Sequence, residues 1–226
     1  MSKSDEQRSR FLLLYSGEDT GYIFSMSLNG TIAPAITMQG VGQITVIWGD
    51  GNTDSYTLTG VNQNITHTYG AGGTYNVKIK HAEQITKFDT STNNNYSFDL
   101  SELEKFNENF YYFLVYGSNT ITGDLSSLNG LSALYYFQVY GSNTISDYTT
   151  STWTQTSFNH YEVTPAAGSG LSSSEVDQLL IDMDTGITWS GSGKMLWLAG
   201  NNAARTSASD AAVTSLQGKG VTVTTN

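Results

Sequence analysis

YYFLVYGSNTI (Tyr111–Ile121) is followed 24 residues later by YYFQVYGSNTI (Tyr135–Ile145), and only Leu114 against Gln138 differs between the two. A segment repeated at a fixed offset builds the same supersecondary unit twice, each copy burying its apolar side against the next. Strand alternation puts Phe113, Val115, Phe137 and Val139 on the inward side. It puts Tyr112, Leu114, Tyr116, Tyr136, Gln138 and Tyr140 outward. Between the copies, Leu125, Leu128, Leu131 and Leu134 recur every third residue.

A period in the twenties with this leucine spacing resembles the leucine-rich repeat. Leu131, Leu134, Phe137, Val139 and Asn143 follow its pattern with one extra residue before the Asn. Aromatics replace leucine in the strand, so the resemblance is to a divergent member. Phe88 and Asp99-Leu-Ser-Glu-Leu103 align with Phe113 and Asp124-Leu-Ser-Ser-Leu128 at an offset of 25 residues, which marks an earlier, degenerate unit. One further period lands on Tyr161 and Val163, a third strand. Leu171–Met183 reads as a helix, with Ser172 or Ser173 as N-cap and Glu175 in the first turn. Val176, Leu179, Leu180 and Met183 share one face of it. A strand over Lys194–Ala199, a short helix from about Ser209 to Leu216 and a strand over Val221–Val223 complete the chain. The stretch from Gly200 to Asn226 resembles the terminal unit of leucine-rich proteins of Bacteroidetes bacteria and their phages. The resemblance implies a cap on the end of the repeat stack.

Upstream, Tyr22–Leu28, Gln43–Trp48 and Gly73–Ile79 alternate as strands, separated by Gly- and Asn-rich turns. Trp48-Gly-Asp-Gly51, then His67-Thr-Tyr69, then Gly73-Thr-Tyr-Asn-Val77 resembles the PKD-type immunoglobulin-like domain over about residues 11–82. That family's fold is a seven-strand β-sandwich used as a spacer or adhesive module. Trp48 is then expected in the inter-sheet core, and Asp50 is expected to accept backbone N–H groups within its own turn. His67 packs against a strand, and Tyr69 and Tyr75 anchor their hydroxyls. The expected class is mainly β: a polar arm over residues 1–10, an immunoglobulin-like sandwich over 11–82, and a leucine-rich-repeat-like solenoid with a few short helices over 83–226.

Composition narrows the partners. Of 226 residues, 38% are apolar and only 13% charged, which suits short strands and many turns, and the net charge is −10. No Lys or Arg occurs from Phe11 to Val77 or from Phe106 to Gly193, so the basic stripe that nucleic acid requires is missing. Without cysteine there are no disulfides, thiolate metal sites or cysteine nucleophiles. The apolar run Phe11–Tyr15 falls short of the roughly 7–15 residues of a secretory signal core. No stretch approaches the roughly 20 apolar residues of a membrane span.

The outward face supplies the candidate ligand-binding residues: Tyr112, Tyr116, Tyr136, Gln138 and Tyr140, extended by His160, Glu162 and Trp197 on the next strands. Aromatics beside Gln, Glu and His stack on sugar rings or anchor a protein edge. The competing reading is that stacked tyrosines only stabilise neighbouring strands. Elsewhere the chemistry is thin. His160 and Glu162 face the same way, but no nucleophile is marked beside them. Asp50, Asn52 and Asp54 start like a calcium loop, yet Ser55 and Val61 stand where Gly and Glu are needed. Gly186 breaks the similar start at Asp182 and Asp184. Neither a cofactor nor a metal is expected, and no catalytic residue is nominated. The expected function is that of a non-catalytic phage virion protein, a capsid decoration, head fibre or tail-associated module. Its partners would be other virion proteins or a host-surface glycan or protein, with room for a homo-oligomer. A bacterial cell-surface adhesin is the second reading, and a glycoside-active enzyme on a repeat scaffold the third.

Overall fold

The computed structural model describes residues 22–30, 32–90, 95–141 and 143–226, and the arm expected over residues 1–10 lies outside them. Alternation sets the first strands. In β1 (Ile23–Asn29) Phe24, Met26 and Leu28 are buried, and the serines between them are not. β2 (Ala35–Ile47), β3 (Thr53–Thr59), β4 (Gln63–Thr66) and β5 (Thr74–Lys80) follow, with β5 antiparallel to β1.

β2 runs for 13 residues, far longer than the Gln43–Trp48 strand that alternation marks. Its Gly40-Val41-Gly42 centre explains the difference. A Cβ on Gly40 would lie 2.0 Å from the Gln84 carbonyl oxygen, so the two backbones meet there only because no side chain intervenes. The register shifts between Gln39 and Gly40, and such a bulge bends and twists a strand. The two halves of β2 therefore serve different layers. The first half pairs with β4 and with β6 (Ile85–Asp89), and the second with β3 and β5.

From β6 the chain alternates between the layers. β7 (Tyr96–Asp99) returns to β1, β8 (Tyr112–Val115) lies parallel to β6, and β9 (Thr120–Thr122) lies parallel to β7. β10 (Tyr136–Tyr140), β11 (His160–Thr164), β12 (Met195–Leu198) and β13 (Thr222–Thr225) then extend the β6–β8 layer, all parallel. One layer thus reads β4-β2-β6-β8-β10-β11-β12-β13 and the other β3-β2-β5-β1-β7-β9. Among the described residues these 13 strands form one hydrogen-bonded sheet, 11 of them along a single path and β3 and β4 branching from β2, and the protein is mainly β. Residues 82 and 83, where the sequence pattern changes, are bridged by the ladder between β2 and β6.

The layers meet through aromatic rings. Phe24 lies 5.4 Å from Phe88 and Phe98 lies 6.0 Å from Phe113 across the layers, and within one layer Phe113 lies 5.3 Å from Phe137. These rings and the buried aliphatics of both halves belong to one contiguous cluster. Each repeat is then closed by polar side chains that bond the backbone. Asp99 and Asp124, aligned in the sequence, accept from Ser101 N and Ser126 N to cap matching 3-10 turns over Leu100–Lys105 and Leu125–Gly130. The Nδ2 of buried Asn119 donates to the Tyr116 carbonyl, and that of Asn143 to the Thr164 carbonyl, which satisfies backbone acceptors in turns that cannot reach water. Asn202 does the same for Val163 and Ala199. A Cβ on Gly141 would lie 2.3 Å from the Gly117 carbonyl oxygen, so consecutive copies stack backbone on backbone.

Helix α1 (Ser173–Gly186) is capped by Ser172, whose hydroxyl accepts from Glu175 N while Glu175 reaches back to Ser172 N, and it buries Val176, Leu179, Leu180 and Met183. Helix α2 (Asp210–Gly218) buries Val213 and Leu216 before β13. Thr164 differs from expectation. Alternation turns it outward, but it is only 9% exposed, because the chain at Gly200 passes across it.

One core position carries a removable defect. Tyr161 occupies the column of Phe88, Phe113 and Phe137, and its hydroxyl is buried without a hydrogen-bond partner among the described residues. An unsatisfied buried hydroxyl costs roughly 1–3 kcal/mol. Tyr161→Phe should therefore raise the urea midpoint by an amount worth about 1 kcal/mol. A drop would mean that the hydroxyl is bonded.

Candidate binding face

The outer side of the β4-to-β13 layer is built in rows, because parallel pairing in register brings equivalent residues of successive units side by side. In one row Lys87, Tyr112, Tyr136 and His160 are partners across β6, β8, β10 and β11. Tyr112 stacks on Tyr136 at 4.5 Å and Tyr136 on His160 at 4.3 Å, with interplanar angles near parallel. The Lys87 ammonium lies 4.4 Å from the centre of the Tyr112 ring and closes the stack with a cation–π contact. Partial burial is the main cause that holds the Tyr112 hydroxyl up at about 12, with Tyr136 and Asp89 adding to it. Burial and then Glu162 raise Tyr136 in the same direction. Both phenols are therefore hydrogen-bond donors at neutral pH.

The adjacent row is polar. Asp89, Leu114, Gln138 and Glu162 stand beside one another, followed by Trp197 on β12. Tyr136 donates to Gln138 Oε1 at 2.6 Å, and Gln138 Nε2 donates to Glu162 Oε2 at 2.8 Å. His160 Nε2 lies 3.4 Å from the same carboxylate oxygen, but it makes no hydrogen bond. Lys87 pairs with Asp89 at 3.7 Å. Beyond these rows Tyr116 and Tyr140 stand out 43% and 52% exposed, and Trp197, at the end of the second row, is 36% exposed.

All eight candidate residues thus belong to one surface, but in two different states. Tyr112, Tyr136 and His160 have their ring faces against one another, so a ligand meets only their edges. Tyr116, Tyr140 and Trp197 make no ring stack among the described residues and are the most exposed of the eight. The surface also extends further than the sequence marked. Gln39 and Thr37 of β2 pair with Lys87 and Asp89, and Asn64 of β4 pairs with Thr37. Lys87 and Asp89 were within reach, since they flank Phe88, which the 25-residue offset already aligned with Phe113. Thr37, Gln39 and Asn64 carry no such signal, because antiparallel pairing with β6 follows no repeat.

The second cluster of conspicuous residues serves the fold. Trp48 is fully buried, its indole N–H donates to Asp54 at 2.7 Å, and its carbonyl accepts from the Tyr69 hydroxyl at 2.8 Å. His67 stacks on the indole at 4.8 Å and bonds Asp50 at 2.9 Å. Asp50 accepts the backbone N–H of Asn52 two residues on, in its own turn, and Tyr75 anchors its hydroxyl on the Ala71 carbonyl. Asp50 and Asp54 are thus directed at His67, Asn52 and Trp48. Among the described residues no group of three His, Cys, Asp or Glu side chains is placed to hold a metal, and no helix is long and apolar enough to cross a membrane.

The hydrogen bond from His67 is the main reason that Asp50 falls from its usual 3.8 to about 2. A carboxylate depressed on folding stabilises the protein above its unfolded value and loses that contribution as pH drops through the folded one. Asp50→Asn should therefore flatten the fall in urea midpoint between pH 3.8 and about 2. An unchanged acid limb would remove Asp50 from the account.

No protein-family model matches this chain, and no curated protein and no solved structure matches it.

Proposed function

We propose that the protein is a non-catalytic structural or adhesive component of a phage particle, a capsid decoration, head fibre or tail-associated module, and that the outer face of the β4-to-β13 layer meets its partner. In this reading the part up to about residue 82 is a PKD-type immunoglobulin-like sandwich. The remainder is a short leucine-rich-repeat-like solenoid. Two layers that share β2 support the first assignment, and strands in register at a 24-residue period, with inward Asn119 and Asn143, support the second.

One observation carries the functional reading. The face is a continuous eight-strand surface, ordered by stacked rings and a hydrogen-bonded polar row, with three exposed aromatic side chains that stack on no ring among the described residues. A rigid surface of this kind binds at little entropic cost. The carboxylates on it argue for binding rather than hydrolysis. Asp89 and Glu162 stand three strands apart, roughly 14 Å at the usual strand spacing. Glycosidase pairs work at roughly 5–9.5 Å.

Immunogold electron microscopy with antibody to this chain tests the placement. Label on particles is the expected result. Label confined to the bacterial envelope would replace this reading with the second one, a cell-surface adhesin.

A further inference from the structure

We propose that Tyr116, Tyr140 and Trp197 are stacking platforms for a neutral glycan chain of hexose units, with Gln138 and Glu162 as its hydrogen-bonding partners. The inference rests on the reading that this face meets the partner, and it assigns the partner's chemistry.

Ring availability is the first ground. Tyr112, Tyr136 and His160 use their faces on one another, whereas Tyr116, Tyr140 and Trp197 stack on no ring among the described residues and are 43%, 52% and 36% exposed. Large aromatics leave water when they can, and an open aromatic face suits the C–H side of a pyranose. Tyr140 belongs to β10 and Tyr116 directly follows β8, its neighbour in the layer. Their backbones are therefore about 4.8 Å apart, the distance between adjacent strands. A chain lying across the strands meets the two tyrosines in succession.

Unspent hydrogen-bonding capacity is the second ground. Gln138 uses its oxygen on Tyr136 and one amide hydrogen on Glu162, and Glu162 receives that bond on Oε2. A second amide hydrogen of Gln138 and the carboxylate Oε1 of Glu162 remain, in the row that ends at Trp197. Covered by an apolar protein surface these groups would be left unsatisfied. A ligand bearing hydroxyls answers them in both directions, as donor and as acceptor.

Charge is the third ground. Lys87 is engaged by Asp89, no Lys or Arg among the described residues pairs with Glu162, and the whole chain carries −10. A polyanionic glycan is repelled by such a surface, so the ligand is neutral.

The test uses the one exposed tryptophan. Trp48, Trp153 and Trp189 are buried, so quenching by a ligand on this face reports Trp197. The full chain is titrated with maltohexaose, cellohexaose and mannohexaose, and with an oligogalacturonate of equal length. A saturable change with at least one neutral series, weakened about tenfold or more in Tyr116→Ala/Tyr140→Ala, is the expected result. Calorimetry of Glu162→Gln should show weaker binding of the same sugar with the melting temperature unchanged. No response to any neutral hexose series, or a response to the acidic one alone, overturns the glycan assignment. Particle attachment by the double variant then separates the two failures. If attachment still drops, the face stands and its partner is a protein; if it does not, the face falls as well.

Discussion

Trp48→Ala should lower the unfolding free energy of the full chain by about 3–5 kcal/mol, the usual loss when a buried large aromatic is truncated. The indole is fully buried, stacks on His67 and donates to Asp54, while Tyr69 bonds the residue's own carbonyl. The substitution therefore opens a cavity and removes the indole bond to Asp54 at once. Trp48→Phe should recover part of the loss by refilling the space, but not the bond to Asp54. Urea denaturation gives both values. A shift near zero for the alanine variant would remove Trp48 from the core.

Phe113→Ala should cost about the same, roughly 3–5 kcal/mol, and its effect should be felt across the whole molecule. Phe113 is fully buried where the halves meet, 6.0 Å from Phe88, 6.0 Å from Phe98 and 5.3 Å from Phe137. Because β2 pairs with β6 and the core is one cluster, the chain should melt as one unit, and this variant should lower that single transition. Calorimetry that shows two transitions, with only the later one displaced, would mean that the sequence on either side of residues 82 and 83 folds separately.

The repeat made much of this legible beforehand. Phe113, Val115, Phe137 and Val139 turn inward as alternation requires, and Tyr161 and Val163 arrive one period on. The match of Asp99–Leu103 to Asp124–Leu128 marked an earlier unit, and in the structure both Asp residues cap equivalent turns; Ser172, one of two candidate N-caps, caps α1. What stayed hidden was non-local. Gly40-Val41-Gly42 interrupts the alternation, so the first half of β2 carried no strand signal, and with it went the continuity between β2 and β6. Thr164 obeys alternation yet is covered by a later turn. The candidate face was legible as a set of residues, but not as two kinds of aromatic. Which rings close on one another depends on side-chain torsions, and period and alternation do not specify those.

The same distinction decides the central claim, that the open side of this face serves attachment rather than stability. Tyr116 and Tyr140 are about half exposed and stack on no ring among the described residues, so little packing is lost without them. The direct measurement takes Tyr116→Ala/Tyr140→Ala and records particle attachment beside the melting temperature of the purified chain. Attachment should weaken while the melting temperature stays within a few degrees of the parent. A large fall in melting temperature with attachment unchanged would contradict the account, because the two tyrosines would then be packing for the sheet and nothing more.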